Sequence, residues 1–220
     1  MEILLVRHGQ AQFGQDNYDK LTDIGIQQSL ALGDHFRRLS IYPDAIVSGT
    51  MVRHQETASH IVKRLGGSAN MTELNGFNEY DFENLLSAFA DQYPKYISND
   101  ENHRRAYAQN IRQALQFWMQ GQLENVEESW TEFVERVSSS FQMVCEHRVK
   151  KVLIVSSGGP IAVILGQVLR LQNESIRSLS LQIKNTSIST LLYNRIDLTL
   201  DSFNCMGHLE NSNSTDITYI

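Results

Sequence analysis

The chain has 220 residues, a formal charge of -6, an apolar fraction of 41% and a charged fraction of 20%, which is the profile of one globular α/β domain with a substantial core. An acidic balance argues against a nucleic-acid surface. No apolar run approaches the length that crosses a bilayer, and the short apolar opening reads as a strand, not a signal peptide. Cys145 and Cys205 are too few for a disulfide framework and lack metal-ligand spacing, so a reducing, cytoplasmic setting is expected.

In chain order, an apolar strand over residues 2–6 delivers Arg7, His8 and Gly9 to its carboxyl end. Ligands of parallel sheets bind there. A guanidinium fork suits phosphate or carboxylate, and an imidazole serves as nucleophile, acid or base near neutral pH. A plain turn after a strand is the alternative. The loop over 10–20 carries Gly14, Asp16 and Asn17, which favour turns. Thr22 then caps a helix marked by Ile24, Gln28, Leu32 and Phe36. A second strand over 45–47 runs through Ser48, Gly49 and Thr50 into a helix that starts near Arg53 and stops at Gly66 and Gly67.

Residues 72–74 read as a short strand, followed by an acidic, aromatic loop over 77–83. Aromatic neighbours can desolvate one of its carboxyl groups and raise its pKa toward that of a proton donor. Helices follow to residue 148, with a loop over 91–102 and a capping box at Ser129 and Glu132. This helical stretch either covers a site or packs on the sheet. The run over 152–155 is apolar throughout, as in a strand buried on both faces. It empties into Ser156, Ser157, Gly158, Gly159 and Pro160 and a helix over 161–169, whose amino end forms an anion cradle. Residues 188–193 and 198–203 alternate around a turn at 195–197, as a hairpin does. The tail from residue 210 is polar.

Three strand-loop-helix units thus place Arg7 with His8, Arg53, and the 157–159 turn at equivalent strand ends. Adjacent strands would converge them on one pocket in a three-layer α/β/α sandwich around a mostly parallel sheet. The expected organisation is a single domain over 1–220, with 83–148 as a helical insertion or cap.

The runs LLVRHGQA (4–11), LTDIGIQQ (21–28), SGTMVRHQETA (48–58), the Glu79 region, VSSGG (155–159) and FNCMGHL (203–209) occur in an order that resembles the histidine phosphatase superfamily, also called phosphoglycerate-mutase-like. The resemblance implies a phosphomonoester hydrolase with a phosphohistidine intermediate. His8 would attack phosphorus, Arg7 and Arg53 would hold the equatorial oxygens, and Glu79 would be the proton donor, with Asp81 and Glu83 as lesser candidates. It implies a small phosphate ester as partner, with no cofactor and no metal. Gln10, Thr22 and Thr57, with Ser157 and Gly158, are candidates to line the pocket, although Thr22 and Thr57 also read as structural helix residues.

One departure stands out. The turn after the later strand usually reads His-Gly-Gly in that family, and here the histidine position is Ser157, whose hydroxyl donates one hydrogen bond without positive charge. Turnover is therefore expected to be slow, or another group to compensate. His54, about 100° around the helix from Arg53, is expected to face elsewhere. His208 lies in the terminal motif, and His35, His60, His103 and His147 read as surface or packing residues. A catalytically impaired phosphate-ester binder is the alternative, and a mutase, which needs a cover against water, is the weaker third. An apolar helix face serves core and interface alike, so the oligomeric state stays open.

Overall fold

The computed structural model describes residues 1–12, 19–67, 71–209 and 217–219. Gly14, Asp16 and Asn17 and most of the polar tail lie outside the described residues. Six strands form one sheet in the order β3-β2-β4-β1-β5-β6. They are β1 (Glu2–Arg7), β2 (Ala45–Ser48), β3 (Met71–Glu73), β4 (Lys151–Ser156), β5 (Ile188–Tyr193) and β6 (Leu198–Cys205). The first four run parallel, β5 runs antiparallel beside β1, and β6 pairs antiparallel with β5.

Strand alternation divides the core in two. Leu4, Val6, Leu153 and Val155 face α1 (Asp23–Arg38) and α2 (Val52–Leu65), packing with Leu32, Phe36, Ala58 and Ile61. Ile3, Leu5, Val152 and Ile154 face the opposite layer, with Phe133 and Val137 of α5 (Trp130–Cys145) and Ile161 and Leu165 of α6 (Gly158–Leu169). The central strands β1 and β4 are therefore buried on both faces, as their unbroken apolar runs require. The result is the three-layer α/β/α sandwich expected from the sequence.

Local signals match the element ends. Thr22 caps α1 by accepting from the Gly25 N–H, and Ser129 with Glu132 forms a reciprocal capping box at α5. At the hairpin, Asn194 Oδ1 accepts from the amides of Ile196 and Asp197. The acidic, aromatic stretch differs from a plain loop. It forms a single 3-10 turn, Asn75–Phe77, and then opens α3 (Phe82–Gln92), capped by Asp81. The remaining helices are α4 (His103–Met119) and α7 (Asn173–Ser180). The short α7 has no counterpart in the sequence reading, because few apolar residues mark its face.

Candidate active site

The β1–β4 register pairs Arg7 with Ser156, and the His8 N–H donates to the Ser156 carbonyl at 2.8 Å. From the other side, the Thr186 N–H donates to the carbonyls of Arg7 and His8 at 3.0 and 3.3 Å, and Asn185 Nδ2 donates to His8 O at 2.9 Å. His8 is thus fixed by the end of β4 on one side and by the segment that leads into β5 on the other. Its Nδ1 lies 2.7 Å from the Gly9 carbonyl. A carbonyl only accepts, so Nδ1 carries the proton and Nε2 keeps its lone pair.

Arg7 donates to the Ile183 carbonyl. Arg53, 2% exposed, donates from Nη1 to Asp19 Oδ1 at 2.8 Å. The other oxygen of Asp19 accepts from the Val52 N–H at 2.7 Å. Asp19 therefore aims Arg53 from the start of α2, a role that its place in a polar loop gave no hint of.

Glu79 sits across the cleft. Its Oε2 accepts from the Gly159 N–H at 3.0 Å, while Oε1 is buried and has no hydrogen-bond partner. One amide at the amino end of α6, that of Gly159, is thus engaged by a carboxyl group of the protein. A Cβ on Gly159 would lie 2.1 Å from Glu79 Oε1, so only glycine admits the carboxyl group there. The loop that carries Glu79 is tied from three sides. Arg136 Nη1 donates to the carbonyls of Gly76 and Asn78 at 3.1 and 2.8 Å. Ser156 Oγ donates to Phe77 O at 2.6 Å, and Asn78 bonds both the backbone and the hydroxyl of Thr50. Asp81 caps α3, and Asp81 and Glu83 are both exposed, so neither shares the desolvated position of Glu79.

Arg7, His8, Arg53 and Glu79 line one cleft of about 90 Å³ together with Gly158 and Gly159. Tyr80, Phe82, Tyr107, Ile111 and Leu181 form an apolar wall beside them. Gln10 and Thr22, expected at the pocket, are not among the lining residues. Thr22 Oγ1 donates to Gln10 Oε1 at 2.9 Å, which ties the two side chains to each other at the start of α1. Thr57 Oγ1 accepts from the Gly9 N–H at 3.0 Å and donates to Arg53 O, a structural duty. Ser157 is fully buried and is not among the lining residues.

The expectation for His54 is overturned. Its ring is fully buried, 5.5 Å from that of His8, and its Nε2 lies 2.7 Å from Ser157 Oγ. The first turn of α2 lies against the residues that follow β1 and β4, and both Arg53 and His54 are buried there. Positions 100° apart there both point inward. His208 does not reach the cleft; its Nε2 lies 2.9 Å from Thr186 Oγ1. Among the described residues no cluster of three or more His, Cys, Asp or Glu side chains can hold a metal ion, and no helix is long and apolar enough to cross a membrane.

Burial, helped by Arg53 and Arg7, holds His8 well below the ordinary imidazole value, and burial with Arg53 does the same for His54. Burial pushes the Glu79 carboxyl up, against the opposing pull of the Gly159 N–H and the arginines. The unfolded chain therefore binds protons at the two histidines before the folded one does. Their contribution to stability is complete above about pH 6.5 and is lost as pH falls toward the folded values. Glu79 acts in the other sense, contributing at low pH and losing that contribution as pH rises through its raised pKa. We expect thermal denaturation temperature to fall as pH is lowered from about 8 to 5, and the double variant His8→Asn/His54→Gln to flatten that slope.

A family model for the histidine phosphatase superfamily (branch 1) matches residues 3–206. The chain belongs to that superfamily. Solved structures with the same fold include phosphoserine phosphatase from Entamoeba histolytica in complex with phosphoserine, at 19% identity and TM-score 0.66, covering 94% of this chain and 98% of that one. The alpha-ribazole phosphatase from Shigella flexneri has 19% identity and TM-score 0.67, with coverages of 93% and 96%. Phosphoglycerate mutase from Bacillus anthracis has 18% identity and TM-score 0.66, covering 94% of each chain. No curated protein matches by sequence. Within the superfamily frame, the cleft unites the two basic strand ends with a buried carboxyl group.

Proposed function

We propose that this superfamily member is a phosphomonoester hydrolase that works through a phosphohistidine on His8. The observation that carries the reading is the His8 ring in the cleft: Nδ1 is committed to Gly9 O, and the lone pair remains on Nε2 beside Arg7, Arg53 and Glu79. Its depressed pKa keeps that nitrogen unprotonated at neutral pH.

In the first step Nε2 attacks phosphorus and the P–O ester bond breaks, while Arg7 and Arg53 offset the charge on the equatorial oxygens. The leaving oxygen takes a proton from Glu79, whose protonated form burial favours. The Nδ1–H on Gly9 O steadies the positive phospho-imidazolium. In the second step water attacks phosphorus, its proton passes to the Glu79 carboxylate, and the P–N bond breaks to give inorganic phosphate. The alcohol portion lies against Tyr80, Phe82, Tyr107, Ile111 and Leu181, which supports esters of apolar or aromatic alcohols as substrates.

A panel of phosphomonoesters assayed on purified protein, with alkaline denaturation to preserve phosphohistidine, tests this. Turnover that withstands EDTA, with one acid-labile phosphate per chain, is the expected result. The uncharged Ser157 favours a second reading, a phosphate-ester binder. Saturable phosphate binding with turnover no higher than that of an Arg7→Ala control would establish the binder instead.

A further inference from the structure

Gly9 is flanked by two peptide groups, each a rigid plane in which the C=O and the N–H point opposite ways. Both planes are held at both ends. In the His8–Gly9 peptide the carbonyl accepts from Asn185 Nδ2 at 2.9 Å, and the N–H donates to Thr57 Oγ1 at 3.0 Å. In the Gly9–Gln10 peptide the N–H donates to Gln28 Oε1 at 2.9 Å, and the carbonyl is the one that holds His8 Nδ1 at 2.7 Å. The protonation pattern of the His8 ring therefore depends on the tilt of a peptide whose far side is gripped by Gln28.

Gln28 lies on α1 and Asn185 on the segment that leads into β5, and both are buried, at 1% and 2% exposed. A side-chain amide has an accepting end and a donating end, and either can be turned toward a given neighbour. Here one group sets both. Thr218 Oγ1 accepts from Gln28 Nε2 at 2.9 Å, which turns Gln28 Oε1 toward the Gln10 N–H. The same oxygen donates to Asn185 Oδ1 at 2.9 Å, which turns Asn185 Nδ2 toward the His8 carbonyl. A hydroxyl suits this place because it accepts and donates at once. The Asn185 N–H also donates to the Thr218 carbonyl at 2.9 Å, so backbone and side chain of Thr218 grip one segment. That segment supplies the Ile183 carbonyl that receives Arg7 as well. Thr218 itself is not among the residues that line the cleft.

We propose that Thr218 is a positioning residue for the nucleophile. Its hydroxyl fixes the orientation of the Gln28 and Asn185 amides, and through them the two peptides that keep the His8 proton on Nδ1 and the lone pair on Nε2. Thr218 acts only through these neighbours, and no proton is transferred. The inference rests on the reading of His8 as the attacking group.

The full-length chain carrying Thr218→Val, which keeps the side-chain shape and removes the hydroxyl, is to be compared with Thr218→Ser, which keeps the hydroxyl. Steady-state kinetics and ring nitrogen NMR of ¹⁵N-histidine-labelled protein are the readouts, with the His8 signals assigned by their loss in His8→Ala. Thr218→Val should lower kcat about tenfold with little change in KM, inside the roughly 10²-fold that a small misplacement of reacting groups can cost. Its His8 ring should show a mixture of tautomers, where the wild type holds its proton on Nδ1. Thr218→Ser should recover both properties. Asn185→Ser breaks the same chain of bonds from the other side and should give the same mixture. Adding Thr218→Val to it should cost little more, because residues that act as a unit are not additive.

A lowered melting temperature in Thr218→Val with kcat and the His8 tautomer unchanged would overturn the proposal, leaving Thr218 a purely structural residue. Equal losses in Thr218→Ser and Thr218→Val would also overturn it, since the hydroxyl would then be irrelevant. If Thr218→Val does not fold, Thr218→Ser and Asn185→Ser decide the question. The tautomer is read with no substrate present, so it tests the positioning alone. Absence of phosphohistidine in the wild type would remove the covalent mechanism, and is thereby told apart from a failure of Thr218 to position His8.

Discussion

His8→Ala should lower kcat/KM by roughly 10⁴-fold or more, the scale on which enzymes lose activity when a covalent nucleophile is removed. No other side chain in the cleft is placed to replace it. His54, the nearest imidazole, is spent on Ser157, and its other nitrogen faces Gly49. Arg7 and Arg53 remain in the variant, so binding of inorganic phosphate should survive within about tenfold, consistent with uniform binding being separable from chemistry. Calorimetric titration with phosphate and trapping of labelled phosphohistidine read these two outcomes separately. Undiminished turnover in this variant would falsify the mechanism.

Glu79→Gln comes second in size, and its signature is dependence on the leaving group. Loss of a general acid typically costs about 10² to 10⁴ in rate, but only where the departing oxygen needs a proton. Phosphate esters of alkyl alcohols should therefore show the whole loss, and p-nitrophenyl phosphate, whose phenolate leaves unaided, should show little in the first step. Gly159→Ala should reproduce this pattern without touching the carboxyl group, because the new methyl would lie 2.1 Å from Glu79 Oε1 and displace it. A uniform loss across leaving groups would point to a positional role for Glu79 instead.

Much of this arrangement is written locally in the chain. The unbroken apolar runs before Arg7 and after Lys151 mark strands buried on both faces, and Thr22 and Ser129 announce their helices through cap chemistry. Convergence of Arg7, His8 and Arg53 on one cleft followed from strand ends lying side by side, whereas Glu79 came only from the family resemblance. What was not legible depends on tertiary placement. His54 looked misaligned because helical geometry gives the angle between neighbours, not how many sides of a helix end are enclosed. Arg136 is one arginine on an amphipathic helix, and nothing in its spacing shows that it serves carbonyls about 60 residues earlier. The mutual bond of Gln10 and Thr22 was hidden for the same reason.

The bond network around Arg136 has a consequence for how damage to this protein would present itself. The loop that carries Glu79 is held in position by a side chain of α5, which is itself anchored by Glu128. On the proposed mechanism, proton delivery is thereby made conditional on the seating of a helix that contributes none of the reacting groups. A lesion that loosens α5 would spare phosphate recognition yet resemble, in its kinetics, a fault in the acid itself.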